Sequence, residues 1–152
     1  MEHKSHRLNV FNATRDGFRA WCFAMDSRSV NKERNSHFID AELWEIAKNV
    51  PCHGELMRYT WWHNYANELT RRKRLPVHYL FYEEYAEDWE NTVAQLFKFI
   101  EIVPAPGAEP MEFIVGKHYD GYFTQNDLEM ARELVRTLAS PETWDLVKRY
   151  FA

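Results

Sequence analysis

Histidine and cysteine side chains are the groups in this sequence that could hold a metal ion, but their spacing does not suit one. His53 and His63 lie ten positions apart, and Cys52 precedes the first of them. A catalytic zinc ion needs a closer pair of ligands, together with a carboxylate at a set spacing. Cys22 and Cys52 are also too few for a disulfide scaffold or a four-cysteine zinc site. We therefore expect no metal centre, and packed or surface histidines are the simpler interpretation.

Two charged clusters follow further along the chain. The cations from Arg71 to Arg74 could bind phosphate, nucleic acid or an anionic lipid, although solvated charges at a helix end are the simpler interpretation. The segment 82–89 places Tyr82 ahead of four carboxylates, and negative charge is favourable where a helix starts. No glycine-rich phosphate loop and no Gly-x-Ser-x-Gly nucleophile motif occurs in the sequence. What these two charged clusters could bind therefore depends on the helices and strands that position them.

The composition excludes several classes of protein. The 152 residues are 45% hydrophobic and 28% charged, which is typical of one soluble globular domain. A net charge of −4 provides no general attraction for nucleic acid. No apolar run approaches the roughly 20 residues that a membrane span requires, and the polar N-terminus resembles no secretory signal. Only five glycines and six prolines occur, so we expect a helix-rich chain.

Apolar residues at helical spacing predict most of the elements. Helices are expected over residues 14–27, 40–49, 54–72 and 88–102 and after Thr124 and Ser140, with a polar loop over 28–38 and a short helical turn over 109–115. The longest of these helices, 54–72, is expected to bury a stripe made of Leu56, Tyr59, Trp62, Ala66 and Leu69.

Particular residues mark two helix starts and one strand. Thr124, with Asp127 three residues later, forms an approximate capping box, and Ser140 caps a helix whose first position is Pro141. The segment 75–82, Leu-Pro-Val-His-Tyr-Leu-Phe-Tyr, is short, aromatic and β-branched, which predicts a strand. A lone strand cannot satisfy its own backbone donors and acceptors. It indicates either a sheet supplied elsewhere or further strands in this chain, and therefore a part of a larger α/β unit.

The order of several motifs resembles that of the sulfotransferase family. The segment 77–85 is similar to the family's strand ending in Tyr-Glu-Asp-Leu, and the next helix closes in Leu-Phe-Lys-Phe-Ile at 96–100, much as the family's helix closes in Phe-Leu or Phe-Ile. Val-Pro at 50–51 is similar to a Pro-containing turn of the family, and Trp-Trp-His at 61–63 is similar to its Trp-rich helix. Gly-Tyr-Phe-Thr at 121–124 is similar to the family's Gly-x-Trp…Phe-Thr segment. The tail 134–151 is similar to algal members, and the resemblance spans most of residues 17–151.

The resemblance implies a fold and an activity. The fold would be the helix-rich C-terminal part of a three-layer α/β domain of the P-loop NTPase-like type, with few strands in this chain, a flexible N-terminus at 1–12 and a partial domain at 13–152. The activity would be sulfuryl transfer from 3′-phosphoadenosine 5′-phosphosulfate (PAPS), as co-substrate and without a metal, to a hydroxyl or amine of a small-molecule or carbohydrate acceptor. The family's Ser-, Gly- and Thr-rich phosphosulfate loop does not occur in these residues. We therefore expect a chain that is inactive alone, either as a fragment that an upstream segment completes or as a degenerate paralogue.

The resemblance also implies candidate site residues, although none of them is a general base. Tyr82 matches the family's tyrosine on the adenine side of PAPS, and a core tyrosine with a satisfied hydroxyl is the competing interpretation. Lys117 lies near the loop that grips the 3′-phosphate, and an exposed lysine without a role is the competing interpretation. His53 and Arg58 fall where the acceptor pocket would be lined.

Two alternatives to a sulfotransferase stay open. One is a non-catalytic helical protein-interaction module that reuses this half-fold without PAPS, and nucleotide binding would distinguish it. The other is an anion-binding surface at Arg71 to Arg74, which salt-sensitive binding to heparin or nucleic acid would indicate. The acceptor, the oligomeric state and the compartment, cytoplasm or Golgi lumen, also stay open.

Overall fold

The computed structural model describes residues 15–34, 39–108 and 121–151, and every regular element in these ranges is helical. The elements are α1 Arg15–Arg34, α2 Ala41–Ala47, α3 His53–Lys73, α4 Glu84–Glu87, α5 Trp89–Phe99, α6 Gln125–Leu138, α7 Pro141–Val147 and a 3₁₀ helix, Lys148–Phe151. The expected helix-rich character is confirmed. The chain divides into a first unit, Met1–Arg71 with Tyr119–Ala152, and a second unit, Arg72–His118.

The expected strand over residues 75–82 is wrong. Residues 75–81 have no regular secondary structure, and a turn follows at Tyr82. A strand exists only through the hydrogen-bond ladder that it shares with a neighbour, and the described ranges contain no second strand with which to form one. Several side chains of this segment are exposed, among them Leu75, Val77, Tyr79 and Leu80. The layers of an α/β sheet are therefore not seen in the part of the chain that the structure describes.

The helix caps predicted at Thr124 and Ser140 are confirmed, and Asp40 caps a further helix. Asp40 accepts the N–H of Leu43 at 2.7 Å and starts α2. Thr124 and Asp127 form a complete capping box at the start of α6. The hydroxyl of Ser140 accepts the N–H of Thr143 at 3.2 Å, and proline occupies the first position of α7. These contacts span three residues, which is why the sequence reveals them.

The first helix is longer than expected. α1 continues to Arg34, so the loop expected over 28–38 is wrong as far as residue 34. The extra residues are polar apart from Val30 and include neither glycine nor proline, so nothing in them ends a helix. The remainder of that loop, the turn expected over 109–115 and the N-terminus 1–12 lie outside the described residues.

The core of the first unit lies among α2, α3 and α6. Its buried members are Leu43 and Ala47 of α2, Val50, Met57 of α3, and Ala131 and Leu134 of α6. Partly buried Trp61 and Phe151 also pack against this core. Removing these apolar side chains from water is the main stabilising contribution to such a unit.

The buried face of α3 is not the expected one. Tyr59 and Trp62 are 41% and 64% exposed, although both belong to the stripe expected to be inside. Met57 and Thr60 are buried instead. The helix is therefore rotated relative to the orientation that its largest apolar side chains predict.

Hydrogen bonds to the junction of α6 and α7 explain this rotation. Asn64 donates from Nδ2 to the carbonyl of Leu138 at 2.8 Å and accepts the N–H of Ser140 at 2.9 Å. Asn67 donates from Nδ2 to Oγ1 of Thr143 at 2.9 Å. Helix ends leave carbonyl and N–H groups without intrahelical partners, and burying them unsatisfied is costly. The amide side chains satisfy these groups, so a polar face of α3 turns inward.

The second unit contains α4 and α5. Oγ1 of the buried Thr92 donates to the carbonyl of Glu84 at 3.0 Å and joins the two helices. Just after α5, Glu101 has a φ of 56°, which lies in the left-handed region. The N–H of Ile102 then bonds the carbonyl of Phe97 at 3.0 Å, as in a Schellman motif.

Candidate functional site

The residues that lead into α3 are buried. Val50 is 0% and His53 is 3% exposed, and Pro51 and Cys52 between them are buried too. Cys52 has a φ of 59°, a left-handed conformation that non-glycine residues seldom adopt. Its carbonyl accepts the N–H of Leu56 at 3.1 Å in the first turn of the helix. The entry to α3, next to the acceptor-pocket candidates, is therefore held in a defined conformation.

A disulfide bond between Cys22 of α1 and Cys52 holds this entry, and it was not expected from the sequence. The two cysteines are separated by 30 positions, and Cys22 is 0% exposed. A cross-link of this kind stabilises a fold mainly by restricting the unfolded chain. The two cysteines do not form a scaffold, but their single bridge fixes α1 against the start of α3.

Asp26, one helical turn after Cys22, reinforces the same junction. Its Oδ1 accepts the N–H of Gly54 at 3.2 Å, and its Oδ2 lies 3.3 Å from Nδ1 of His53. The same Nδ1 is 3.2 Å from the carbonyl oxygen of Val50. Because both neighbours of Nδ1 are acceptors, this nitrogen carries a proton. A carboxylate is also favourable at a helix N-terminus, so Asp26 caps α3 from outside that helix.

An Asp–His pair is an arrangement that many enzymes use for proton transfer, with the carboxylate orienting the imidazole. Here the carboxylate and the ring are both buried, and Trp44 packs edge-on against His53 with ring centroids 5.6 Å apart. The pair therefore holds α1 and α3 together in this arrangement. Acceptor binding by His53 stays a prediction, and it requires the ring to be uncovered.

Arg58, the second acceptor-pocket candidate, lies on the exposed side of α3. Its guanidinium donates to the carboxylate of Glu55, and its Nε donates to the carbonyl of Gly54 at 3.3 Å. The side chain is 58% exposed, so it is accessible to a solute. Exposed pairs within one helix contribute little to stability. Acceptor binding by Arg58 therefore stays a prediction that its exposure permits.

The basic cluster Arg71 to Arg74 is exposed at the end of α3. Arg71 donates to the carboxylate of Glu68 within the same helix. The cations of this cluster lie at the C-terminal end of α3, where a helix favours positive charge. This placement fits solvated charges at a helix end.

Tyr82, the candidate for adenine contact, lies in the second unit. Its side chain is 57% exposed, and its carbonyl accepts the N–H of Tyr85 at 3.3 Å in the turn before α4. This exposure does not fit a core tyrosine. A ring with an accessible face can stack on a nucleotide base, which is worth about 1–3 kcal/mol per base in other proteins.

Two cavities in the second unit differ in their lining. The smaller, of about 200 Å³, is polar, and its lining residues are His78, Glu84, Glu87, Asp88, Asn91, Thr92 and Gln95. Its three carboxylates repel phosphate and sulfate groups. The larger, of about 620 Å³, is an apolar groove along α5, and among its lining residues Lys98 is the only cation. Neither cavity offers the several cations that a phosphosulfate requires, as far as the described residues extend.

The remaining candidate, Lys117, lies outside the described residues. Within the described ranges, no three His, Cys, Asp or Glu side chains are grouped so that they could hold a metal ion. None of the helices described combines the length and the hydrophobicity that crossing a membrane requires.

Sequence patterns missed Asp26 and the cysteine pair. One signal was present, because Cys22 and Asp26 are four positions apart and therefore share a face of α1. Nothing in that spacing says which distant segment the face meets. The partners Cys52 and His53 are adjacent to each other in the sequence and became recognisable as partners only in the folded chain.

Comparison with known proteins agrees with the motif order. A family model described as the sulfotransferase domain matches residues 24–129. No curated protein and no solved structure matches the chain, so the similarity of the tail to algal members stays a prediction. The matched range covers more than half of the sequence and includes the candidates His53, Arg58, Tyr82 and Lys117. The chain belongs to the sulfotransferase family.

Proposed function

We propose that this chain takes part in the transfer of a sulfuryl group from PAPS to a hydroxyl or amine acceptor. The observation that carries the proposal is the match of the sulfotransferase family model to residues 24–129. The exposed ring of Tyr82 supports it, since that position resembles the family's adenine contact.

The charges around Tyr82 favour the base end of the nucleotide over its phosphates. Tyr82 is followed directly by Glu83 and Glu84, and Glu87 and Asp88 come within the next turn and a half. An adenine ring is uncharged, so it can stack on Tyr82 without repulsion from these carboxylates. The phosphates would lie away from these carboxylates.

The reaction requires more than an adenine contact. The acceptor oxygen or nitrogen attacks sulfur in line as the bond from sulfur to the phosphate oxygen breaks, and 3′-phosphoadenosine 5′-phosphate (PAP) leaves. A base takes the acceptor proton, and cations stabilise the charge on the leaving phosphate. His53 is enclosed and Arg58 is paired with Glu55. We therefore propose that the 152 residues do not catalyse transfer alone and that a segment with the phosphosulfate loop completes the site.

The buried disulfide supports one of the two compartments left open by the sequence. Disulfide bonds persist in oxidising compartments and are rare in the cytoplasm. The bond between Cys22 and Cys52 therefore favours the Golgi lumen as the place where this chain functions.

Titration calorimetry with PAP tests the nucleotide site. We expect a saturable heat with the purified chain, its loss in Tyr82→Ala and its retention in Tyr82→Phe, because phenylalanine keeps the stacking face. Tyr79→Ala is the matched control, since Tyr79 is another exposed tyrosine of the same irregular segment. No heat from a folded chain would contradict PAP binding. Sulfation of an acceptor by the purified chain would contradict its expected inactivity.

A further inference from the structure

The second unit presents large apolar side chains to solvent along and just after α5. Ile102 and Val103 are 54% and 90% exposed. Together with Trp89, Val93 and Phe97 they line the apolar groove of about 620 Å³, here named the α5 groove. Leaving such side chains in water forfeits the stabilisation that burial provides, and contiguous apolar patches on a surface commonly mark a binding site. The α5 groove is therefore a candidate for contact with a partner.

Two charged side chains lie in the α5 groove, one towards each end of the helix. Glu90 belongs to the first turn of α5 and Lys98 to its last turn, and both line the groove. Their separation of eight positions corresponds to about 12 Å along the helix axis, which is too far for the two side chains to pair with each other. Within the part of the chain that the structure describes, neither of them forms an ion pair. Both charges are therefore available to a partner.

The order of these groups along α5 makes the groove complementary to itself. Ala94 lies four positions from Glu90 and four from Lys98, so the three side chains form one row on the helix surface. When two copies of α5 pack antiparallel about a twofold axis at Ala94, Glu90 of each copy faces Lys98 of the other. This reciprocity is what a symmetric dimer interface requires. The small side chain of Ala94 at the crossing lets the two helix axes approach to about 8–10 Å.

Other occupants match the charges of the groove less well. Nucleic acid and phosphorylated ligands are bound through several cations, and Lys98 is the only cation in the lining. A fatty acid would find a partner for its carboxylate in Lys98, but Glu90 in the same lining would stay without one. A second copy provides a cation for Glu90 and a carboxylate for Lys98 at the same time. Charge complementarity therefore favours a second copy of this chain.

We propose that the α5 groove is the interface of a symmetric homodimer in which two α5 helices pack antiparallel across Ala94. This interface goes beyond the proposed function and does not depend on it, because it uses only α5 and residues 102–104. Stable interfaces bury about 800 Å² on each partner. A helix of eleven residues with one short flanking segment covers less than that. The dimer should accordingly have a dissociation constant in the micromolar range.

Sedimentation equilibrium of the purified chain over a concentration series tests the interface. We expect the mass to rise with concentration from that of one chain to that of two. Glu90→Lys and Lys98→Glu should each raise the dissociation constant by roughly tenfold or more, because like charges then face each other twice across the twofold axis. An equimolar mixture of these two variants should dimerise again, since every facing pair then has opposite charges. Glu87→Lys is the matched control, because it makes the same change of charge in the polar cavity of the same unit.

Circular dichroism should show that all three variants are folded, and several results would then overturn the dimer. They are a chain that stays monomeric throughout the series, association that both charge reversals leave unchanged, and a mixture of the two variants that forms no heterodimer. A monomeric chain that binds dodecanoate and loses this binding in Lys98→Glu would identify a fatty acid as the occupant instead. Recovery of the dimer in the mixture alone, with the control unchanged, supports the antiparallel arrangement.

Discussion

The contact between Arg19 of α1 and Asp127 of α6 should contribute measurably to the stability of the first unit. Asp127 is 1% exposed, and its Oδ2 accepts the N–H and the hydroxyl of Thr124 at 2.8 and 2.7 Å and pairs with Arg19. Burial acts to raise the pKa of Asp127. The hydrogen bonds from Thr124 and the pairing with Arg19 outweigh it and hold the pKa below its ordinary value. The carboxylate is therefore ionised at neutral pH.

The structure sets the size of the effect of Asp127→Ala. This substitution removes the acceptor for the N–H of Thr124, and loss of a helix cap typically costs about 1 kcal/mol. It also removes a charge-assisted hydrogen bond, worth about 1.5–3 kcal/mol, and the low end applies because water can reach Arg19. The Arg19 side chain is 31% exposed. We expect the free energy of unfolding to fall by about 2–3 kcal/mol in Asp127→Ala and by about half of that in Asp127→Asn.

Urea unfolding followed by far-ultraviolet circular dichroism measures this loss. Combining Asp127→Ala with Arg19→Ala in a double-mutant cycle should give a coupling free energy of about 1–2 kcal/mol. Asp145→Ala is the matched control, because Asp145 forms an exposed pair with Lys148, and it should change stability by less than about 0.5 kcal/mol. If Asp127→Ala is no less stable than Asp145→Ala, or if the coupling vanishes, the stabilising role assigned to the contact is refuted.

Three further predictions concern the same unit. Because folding lowers the pKa of Asp127, the stability that its carboxylate contributes is fully present above the ordinary aspartate pKa of about 4 and is lost as the pH falls through the lower folded value. Thermal unfolding over a pH series should show that the stability of the natural chain relative to Asp127→Asn shrinks in acid. A stability difference that stays constant with pH would contradict this. Replacing both Cys22 and Cys52 with alanine should lower the free energy of unfolding by about 3–4 kcal/mol for a loop of this length, whereas equal urea midpoints would show that the bridge contributes nothing. Asn64→Leu leaves the N–H of Ser140 without its partner and should cost about 1–3 kcal/mol in the same assay, and an unchanged midpoint would contradict the explanation given for the orientation of α3.

Most of the helices were predictable from the sequence, because helix formation depends on neighbours within four positions. The cap at Thr124 and the proline after Ser140 marked two helix starts correctly. The segment 75–82 was not predictable in this way, since its β-branched and aromatic composition indicates a strand only where a partner strand is available. The candidate site residues were proposed from the order of short motifs along the chain, because that order and spacing indicate the family without any knowledge of the fold.

The orientation of α3 shows where sequence patterns mislead. Its aromatic residues at helical spacing predict a buried face, and the structure exposes Tyr59 and Trp62 instead. The opposite face satisfies backbone groups at the junction of α6 and α7, and hydrophobicity scales do not count such groups. The exposure of Tyr59 and Trp62 therefore became visible only from the fold.

The sequence by itself determined the helical elements, their caps and membership of the sulfotransferase family, because these depend on residue types at short, regular spacing. Tertiary structure alone decided the bridge from Cys22 to Cys52 and the pairing of Asp26 with His53. These partners lie on segments about thirty residues apart, and a face of a helix carries no label for the distant segment that it meets. Which surfaces meet depends on the packing and polar satisfaction of the whole unit.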